Sequence, residues 1–254
     1  MTLAPSRMLT LSTSLHCHDN VAPVNNVAHV NRACYSAAMT AKRPYHHGNL
    51  KPVLLRAAIR LIAEVGPAAF TMREVARRAG ISHNAPYRHL QDKDALLAAV
   101  ATEGFERLAK ALSKPIMETH TAASATEARG VAEERPALRR FKASGLAYVR
   151  FALRSPEHLL VMFDWPLPLN RYPDLEAAAA RAFSILVGLV QEAQREGSLP
   201  EGDAIVLARI AWSLVHGVAK LAIGKRLALE SEAELMNSTT RALDILYVGM
   251  ARWR

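Results

Sequence analysis

Between Phe70 and Lys93 the chain reads FTMREVARRAGISHNAPYRHLQDK, and the chemistry it can perform is recognition rather than catalysis. Ser82, His83, Asn84, Tyr87, Arg88 and His89 supply hydroxyl, imidazole, amide, phenol and guanidinium groups in one short stretch. These donors and acceptors suit base edges and phosphates when a helix presents them to a major groove. No group among them is paired with a second residue at a spacing that would activate a nucleophile or hold a metal.

Such side chains need a rigid support, and the flanking residues provide one. Thr71 is followed three residues on by Glu74, the spacing of a capping box, and Phe70 and Val75 are placed to close as a hydrophobic staple. A helix therefore starts at Thr71. Val75, Ala76 and Ala79 give it a small apolar face, and Gly80 supplies the left-handed residue that ends it. Ser82 is then expected to cap a second helix. Pro86 falls fourth from that cap, where it removes at most the first hydrogen bond. Ahead of both, a helix is expected from Asn49 to about Val65, with Leu50, Leu54, Ala57, Ala58, Leu61, Ile62 and Val65 on one face. Pro52 lies in its first turn, where the missing N–H costs little.

Charge is concentrated in the same region. Residues 41–93 hold ten Lys and Arg against three acidic residues, a net of +7 in a chain whose total is +9. Residues 1–40 and 94–254 each contribute only +1. Clustering of this kind neutralises phosphates with release of counterions and predicts steep salt dependence.

The chain has 254 residues, 50% of them apolar and 6% aromatic, enough for a small domain and a larger one. Apolar residues recur at helical spacing nearly throughout, so the fold class expected is all-α. Even the most apolar stretch, residues 204–223, is interrupted by Arg209 and Lys220, which argues for a soluble protein. The first forty residues lack periodicity and the features of a secretory signal, and they read as a disordered extension. They contain both cysteines, Cys17 and Cys34; His16, Cys17 and His18 have no second cluster that would make a zinc site. Met39 offers an alternative start, from which the protein would be free of cysteine and suited to a reducing cytoplasm.

Residues 43–97 resemble the N-terminal domain of the tetracycline-repressor-like (TetR) regulators. The resemblance rests on AAIRLIAEVG, then FTMREVARRAGIS, then the order Tyr87, His89, Lys93, Asp94, Leu96 and Leu97, with RPYHHGNL as an arm ahead of them. Leu90 stands where phenylalanine is common, and Asn84 where small residues often occur. The resemblance implies a three-helix helix-turn-helix domain over residues 41–93, joined by a connecting helix to a helical ligand-binding and dimerisation domain over residues 94–254. It implies that Thr71 and Arg73 touch phosphates, that Ser82, Asn84, Tyr87 and His89 face DNA together with Arg88, and that Lys93 meets phosphate. Tyr87 and His89 would grip backbone. His83, Asn84 and Ala85 would read bases, Asn84 by a two-pronged bond to adenine and Ala85 by contact with a thymine methyl. Lys42 and Arg43 would lie on a flexible arm against backbone or minor groove, while His46 and His47 are equally well read as solvated.

Asp92 is expected to cap the connecting helix, which runs to about Leu112, followed by a loosened link over residues 113–135. Further helices are expected from Pro136 to about Arg154, from about Asp174 to Glu196, from Asp203 to Ile223 and from about Glu232 to Ala251, with a break at Phe163, Trp165, Pro166 and Pro168. Apolar residues surround nearly all of the helix after Asp203. That helix and the last one are therefore expected to pair with their copies in a two-fold homodimer, as two half-sites of a palindromic double-stranded operator would require. Trp212, His216 and Gly217 resemble the Trp-x-x-x-His-Gly (WHG) signature of one type of C-terminal domain in this family. By the same resemblance a small-molecule effector would enter between the helices, with Phe141, Tyr148, Phe151, Met162, Trp165, Trp212 and His216 as candidate pocket residues. Aromatic residues at this spacing equally build core, and His216 equally serves a buried carbonyl.

An enzyme would need machinery that is missing here: there is no phosphate-binding glycine loop, serine elbow, HExxH pair or paired acids with a nearby His. No metal or cofactor is expected. The expectation is a cytoplasmic, nucleoid-associated transcription regulator, most simply a repressor released by an effector. The competing reading is an architectural DNA-binding protein without one.

Overall fold

The computed structural model describes residues 50–122, 135–229 and 231–252, and these are entirely helical apart from turns and loops. Eight α-helices follow in order: α1 (Leu50–Ala69), α2 (Met72–Ala79), α3 (Lys93–Ala122), α4 (Pro136–Arg154), α5 (Pro156–Asp164), α6 (Pro173–Arg195), α7 (Ala204–Ile223) and α8 (Glu232–Arg252). Short 3-10 turns lie at Pro86–Arg88 and Leu169–Arg171.

Helix α1 packs on α2 and α3 through Leu54, Ala57, Ala58, Leu61 and Ile62. Gly66, at φ 78 and ψ 167, breaks its regular geometry, a conformation open to glycine at little cost. Val65, just before the break, is 50% exposed, contrary to its expected place on the core face. Helix α2 begins as the spacing implies, with the Glu74 amide donating to Thr71 Oγ1 at 3.2 Å. The reciprocal half of the box is not the one observed, since the Glu74 carboxylate lies 3.9 Å from Arg77. Phe70 and Val75 are both buried, and Gly80 closes the helix at φ 69.

The expected second helix of this unit is a correction. After Gly80 the chain makes a turn in which the Ala85 amide donates to the Ser82 carbonyl, then the 3-10 turn Pro86–Arg88, with His89 and Leu90 amides both donating to the Pro86 carbonyl. Pro86 has no N–H to give to the Ser82 carbonyl, and its ring would crowd that same carbonyl in an α-helix. The segment takes mainly i+3 bonds instead, with a single i+4 bond from Leu90 to Pro86. Buried Pro86 and Leu90 anchor it to the core at both ends.

Helix α3 starts where Asp92 Oδ1 accepts from the Ala95 amide at 2.7 Å, but it runs to Ala122, well beyond the expected end near Leu112. It is the axis of the molecule and packs against α1, α4, α5 and α6. Helix α5 is absent from the expected elements: LLVMF is apolar without a polar period, and only Pro156 in its first turn marks a start. Asp203 and Ser231 cap α7 and α8. The N-terminus of α4 is capped from a distance, by the Glu196 carboxylate at 3.1 Å from the Ala137 amide.

One continuous core joins α1–α3 to α4–α8, and a second cluster at the far end gathers Phe141, Leu189, Val190, Leu199, Leu207 and Met250. Among the described residues α7 alone is long and apolar enough to cross a membrane. In this fold it packs against α4, α6 and α8, with Lys220 paired to Asp164.

Candidate nucleic-acid interface and ligand cavity

Thr71, Arg73, Ser82, His83, Asn84, Tyr87, Arg88 and His89 are all exposed, and Ala85 is half-buried. The turn after Gly80 carries most of them, because its anchors Pro86 and Leu90 face inward and the residues between face out. The His83 and Tyr87 rings meet edge to face at 6.4 Å, which limits the freedom of both. Arg73 and Arg88 stand exposed, whereas Arg78 is drawn back onto Glu64, whose carboxylate it holds below the usual carboxylate range. Lys42 and Arg43 lie outside the described residues, as do His46, His47 and the first-forty-residue extension.

Lys93 has partners within the protein. Its ammonium donates to the Ala68 carbonyl at 2.7 Å and sits 4.5 Å above the Phe70 ring and 5.6 Å from the Trp165 ring. Partial burial lowers its pKa, with Asp94 acting in the opposite sense. Trp165 Nε1 in turn donates to Asp94 Oδ1 at 3.4 Å. The start of α3, the corner between α1 and α2, and the end of α5 are therefore clasped at one point.

A cavity of about 480 Å³ opens among α3, α4, α5, α6, α7 and α8. Small side chains make the space: Ser144 and Gly145 on α4, Ala179, Ala180 and Ala182 on α6, and Ala211 on α7 all line it. Of the expected pocket residues, Phe141, Tyr148, Met162 and Trp212 line the cavity. Phe151, Trp165 and His216 do not. Phe151 is buried in the packing of α4, Trp165 belongs to the clasp with Lys93, and His216 stands behind the wall, sharing a 2.7 Å hydrogen bond with the Tyr148 hydroxyl through Nδ1. Sequence reasoning misses Phe105, Phe163, Glu176, Phe183 and Leu243. Phe183 is recoverable as the lone aromatic in an alanine-rich helix. Phe163 reads in the sequence only as part of a break.

Burial pushes the Tyr148 phenol up and, with Lys220 nearby, the His216 imidazole down, so both are neutral at pH 7. The α3–α5 contact beside the cavity is very close. A Cβ on Gly104 would lie 2.5 Å from Met162 Sδ and 3.2 Å from His158 Cβ. His158 itself is 2% exposed and neither ring nitrogen has a hydrogen-bond partner; Glu103 is 3.7 Å from Nε2. Among the described residues no group of His, Cys, Asp and Glu is arranged to hold a metal ion.

A short exposed turn bearing amide, imidazole, phenol and guanidinium groups, mounted on a helical body with an internal cavity, defines a helical architecture that presents those groups outward. Residues 54–100 match the bacterial regulatory proteins of the tetR family, and residues 141–246 match the tetracyclin repressor-like C-terminal domain. The chain is 34% identical to a protein of unknown function from a Rhodococcus species, whose structure aligns over 83% of this chain and 100% of that one with a TM-score of 0.68. The TetR-family transcriptional regulator PfmR of Thermus thermophilus shares the fold at 16% identity, over 77% of this chain and 97% of that one, with a TM-score of 0.57. An HTH-type transcriptional repressor of Mycobacterium tuberculosis is 39% identical over 59 residues, 23% of this chain and 31% of that protein. The chain thus spans about a third of the length of the curated relatives it matches. It belongs to the tetracycline-repressor-like family of transcriptional regulators.

Proposed function

We propose that the protein is a homodimeric repressor that reads a palindromic operator through residues 82–89 and is released when a small molecule fills the cavity. The observation that carries this reading is the continuity of α5. Met162 and Phe163 at its C-terminal end line the cavity, and Trp165, immediately beyond the helix, clasps Lys93, Asp94 and Phe70 beneath the exposed turn. A ligand that displaces Met162 or Phe163 would move the clasp, and with it the spacing of two reading heads. Arg73 and Arg88, with Lys42 and Arg43 on the arm, would position the head on phosphate; His83, Asn84 and Ala85 would discriminate bases. Lys93 is better assigned to the clasp than to phosphate. The boundary between head and body falls at the start of α3.

Dimerisation through α7 and α8 is supported by the residues they leave uncovered: Ile205, Ile210 and Leu221 on α7, and Val248 and Ile245, the last 74% exposed, on α8. Gly217 and Gly249 have no neighbour within 4 Å of where a Cβ would stand, so each leaves room for a close approach from outside. The Trp-x-x-x-His-Gly reading then acquires a division of labour. Trp212 walls the cavity, His216 steadies Tyr148, and Gly217 faces the partner.

The test is binding of the full chain to DNA from its own upstream region and to a scrambled control, by fluorescence anisotropy across a salt series. The expected result is a dimer on one site, held at least about a thousandfold more tightly than the control, with log affinity falling by about 0.9 per log unit of salt for each phosphate neutralised. Equal, weak binding to both DNAs would overturn sequence reading and favour the architectural alternative, which the cavity does not explain.

A further inference from the structure

Resting on the effector reading above, we propose that the cavity selects a hydrophobic cation: an apolar, ring-bearing molecule carrying one positive charge. Phe105, Phe141, Tyr148, Phe163, Phe183 and Trp212 put aromatic rings into the lining, among leucines, alanines, Val215 and Met162. Trp212 is the centre of this arrangement, with Phe163 at 5.7 Å and Phe183 at 6.2 Å between ring centroids. Ring faces carry negative charge density and attract a desolvated cation.

Among the described lining residues one side chain is charged, and it is the carboxylate of Glu176. Glu176 lies in the first turn of α6, exposed at the cavity edge, and makes no ion pair among the described residues. No Lys, Arg or His is among the described lining residues. Lys220 is paired with Asp164, and His216 stands behind Tyr148. An anionic ligand would therefore be stripped of water against a carboxylate and ring faces with no base to receive it, which is costly. A cation would exchange its hydration for rings and one carboxylate. The volume of about 480 Å³ suits a drug-sized molecule.

Glu176 also has a structural role open to it, since a carboxylate in a first turn favours the helix N-terminus. The two roles separate by experiment. Tetraphenylphosphonium and tetraphenylborate are close to isosteric and opposite in charge, and N-phenyl-1-naphthylamine is a neutral apolar probe. Each is titrated by calorimetry into the full-length wild-type protein, Glu176→Gln and Ala180→Trp, the last placing a large ring in the cavity from an exposed position. The phosphonium should bind at least about tenfold more tightly than the borate, a difference of about 1.4 kcal/mol. Glu176→Gln should weaken the phosphonium several-fold and leave the neutral probe unchanged, and Ala180→Trp should weaken both. Borate binding as tight as phosphonium, or phosphonium affinity indifferent to Glu176→Gln, overturns the cation preference while the pocket stands, provided the neutral probe binds wild type and is lost in Ala180→Trp. Failure of all three probes to bind wild type, or probe binding that ignores Ala180→Trp, brings down the effector reading and the cation proposal with it.

Discussion

Replacing His158 with leucine should make the protein more stable, and by a margin that grows as pH falls. His158 is 2% exposed in the α3–α5 contact, and both ring nitrogens lack partners. Leaving a buried polar group unpaired costs about 1–3 kcal/mol, whereas an apolar side chain of similar volume avoids that cost. At pH 8, where the imidazole is neutral in both folded and unfolded chains, His158→Leu should therefore gain about 1–3 kcal/mol, or about 2–4 °C in Tm for each kcal/mol in a chain of this size. Burial first, and Arg107 second, hold the His158 pKa below its ordinary 6.5, with Glu103 acting in the opposite sense. The unfolded chain then takes up a proton near pH 6.5 that the folded chain resists. Stability contributed above that pH is lost as pH falls toward the lowered folded value, at up to about 1.4 kcal/mol per pH unit. The leucine variant has no such loss, so the Tm gap should widen between pH 8 and pH 5. His216 shifts in the same direction and the half-buried Glu157 carboxyl in the opposite one, but both are present in the two proteins and cancel. Thermal unfolding of both proteins at one fixed concentration measures the gap. A gap that stays constant or narrows with acidity, or a variant less stable at pH 8, would refute the account of His158 as an unpartnered buried imidazole.

Gly104→Val should force Met162 and His158 away from α3, cost about 1–3 kcal/mol by overpacking, and lower operator affinity without changing the salt slope, as anisotropy would show; unchanged affinity would dissociate the α3–α5 contact from DNA reading. Ile245→Glu and Gly217→Leu should each shift the protein toward monomer in sedimentation equilibrium at fixed protein concentration while leaving the far-UV spectrum intact, and an undisturbed dimer in both would place the interface elsewhere. Pro86→Ala restores an N–H that can reach the Ser82 carbonyl, so the helical signal in the far-UV spectrum should rise slightly and the new amide should be protected from exchange. A freely exchanging amide at this position would mean that proline is not what holds the segment in a 3-10 turn.

Much of the reading head is legible because its signals are local. Thr71, Gly80 and Asp92 act on neighbours within four residues, and each sits at the helix end its chemistry favours. The Pro86 turn is harder to read, because counting one missing N–H as a small loss at a helix start overlooks the crowding of the Ser82 carbonyl by the proline ring, which disfavours a continuous α-helix there. The cavity is only partly legible. Tyr148 and Trp212 are conspicuous by type, but a void is defined by what fails to fill it, and Ser144, Gly145 and Ala182 carry no signal until the surrounding helices are brought together. The partners of Lys93 are illegible for a related reason: only the fold brings the Ala68 carbonyl and two rings beneath it.

The alanines of α6 make ligand choice a quantity that can drift in small steps. Ala179 and Ala180 line the cavity from a helix that supplies none of the residues of the Lys93 clasp and none of the exposed apolar residues of α7 and α8. Enlarging either one trims the space available to a guest without touching an operator contact or a subunit contact. Under the effector reading proposed above, a lineage, or an engineer, could retune the cavity to a new compound by single substitutions on one helical turn, leaving DNA recognition as it was.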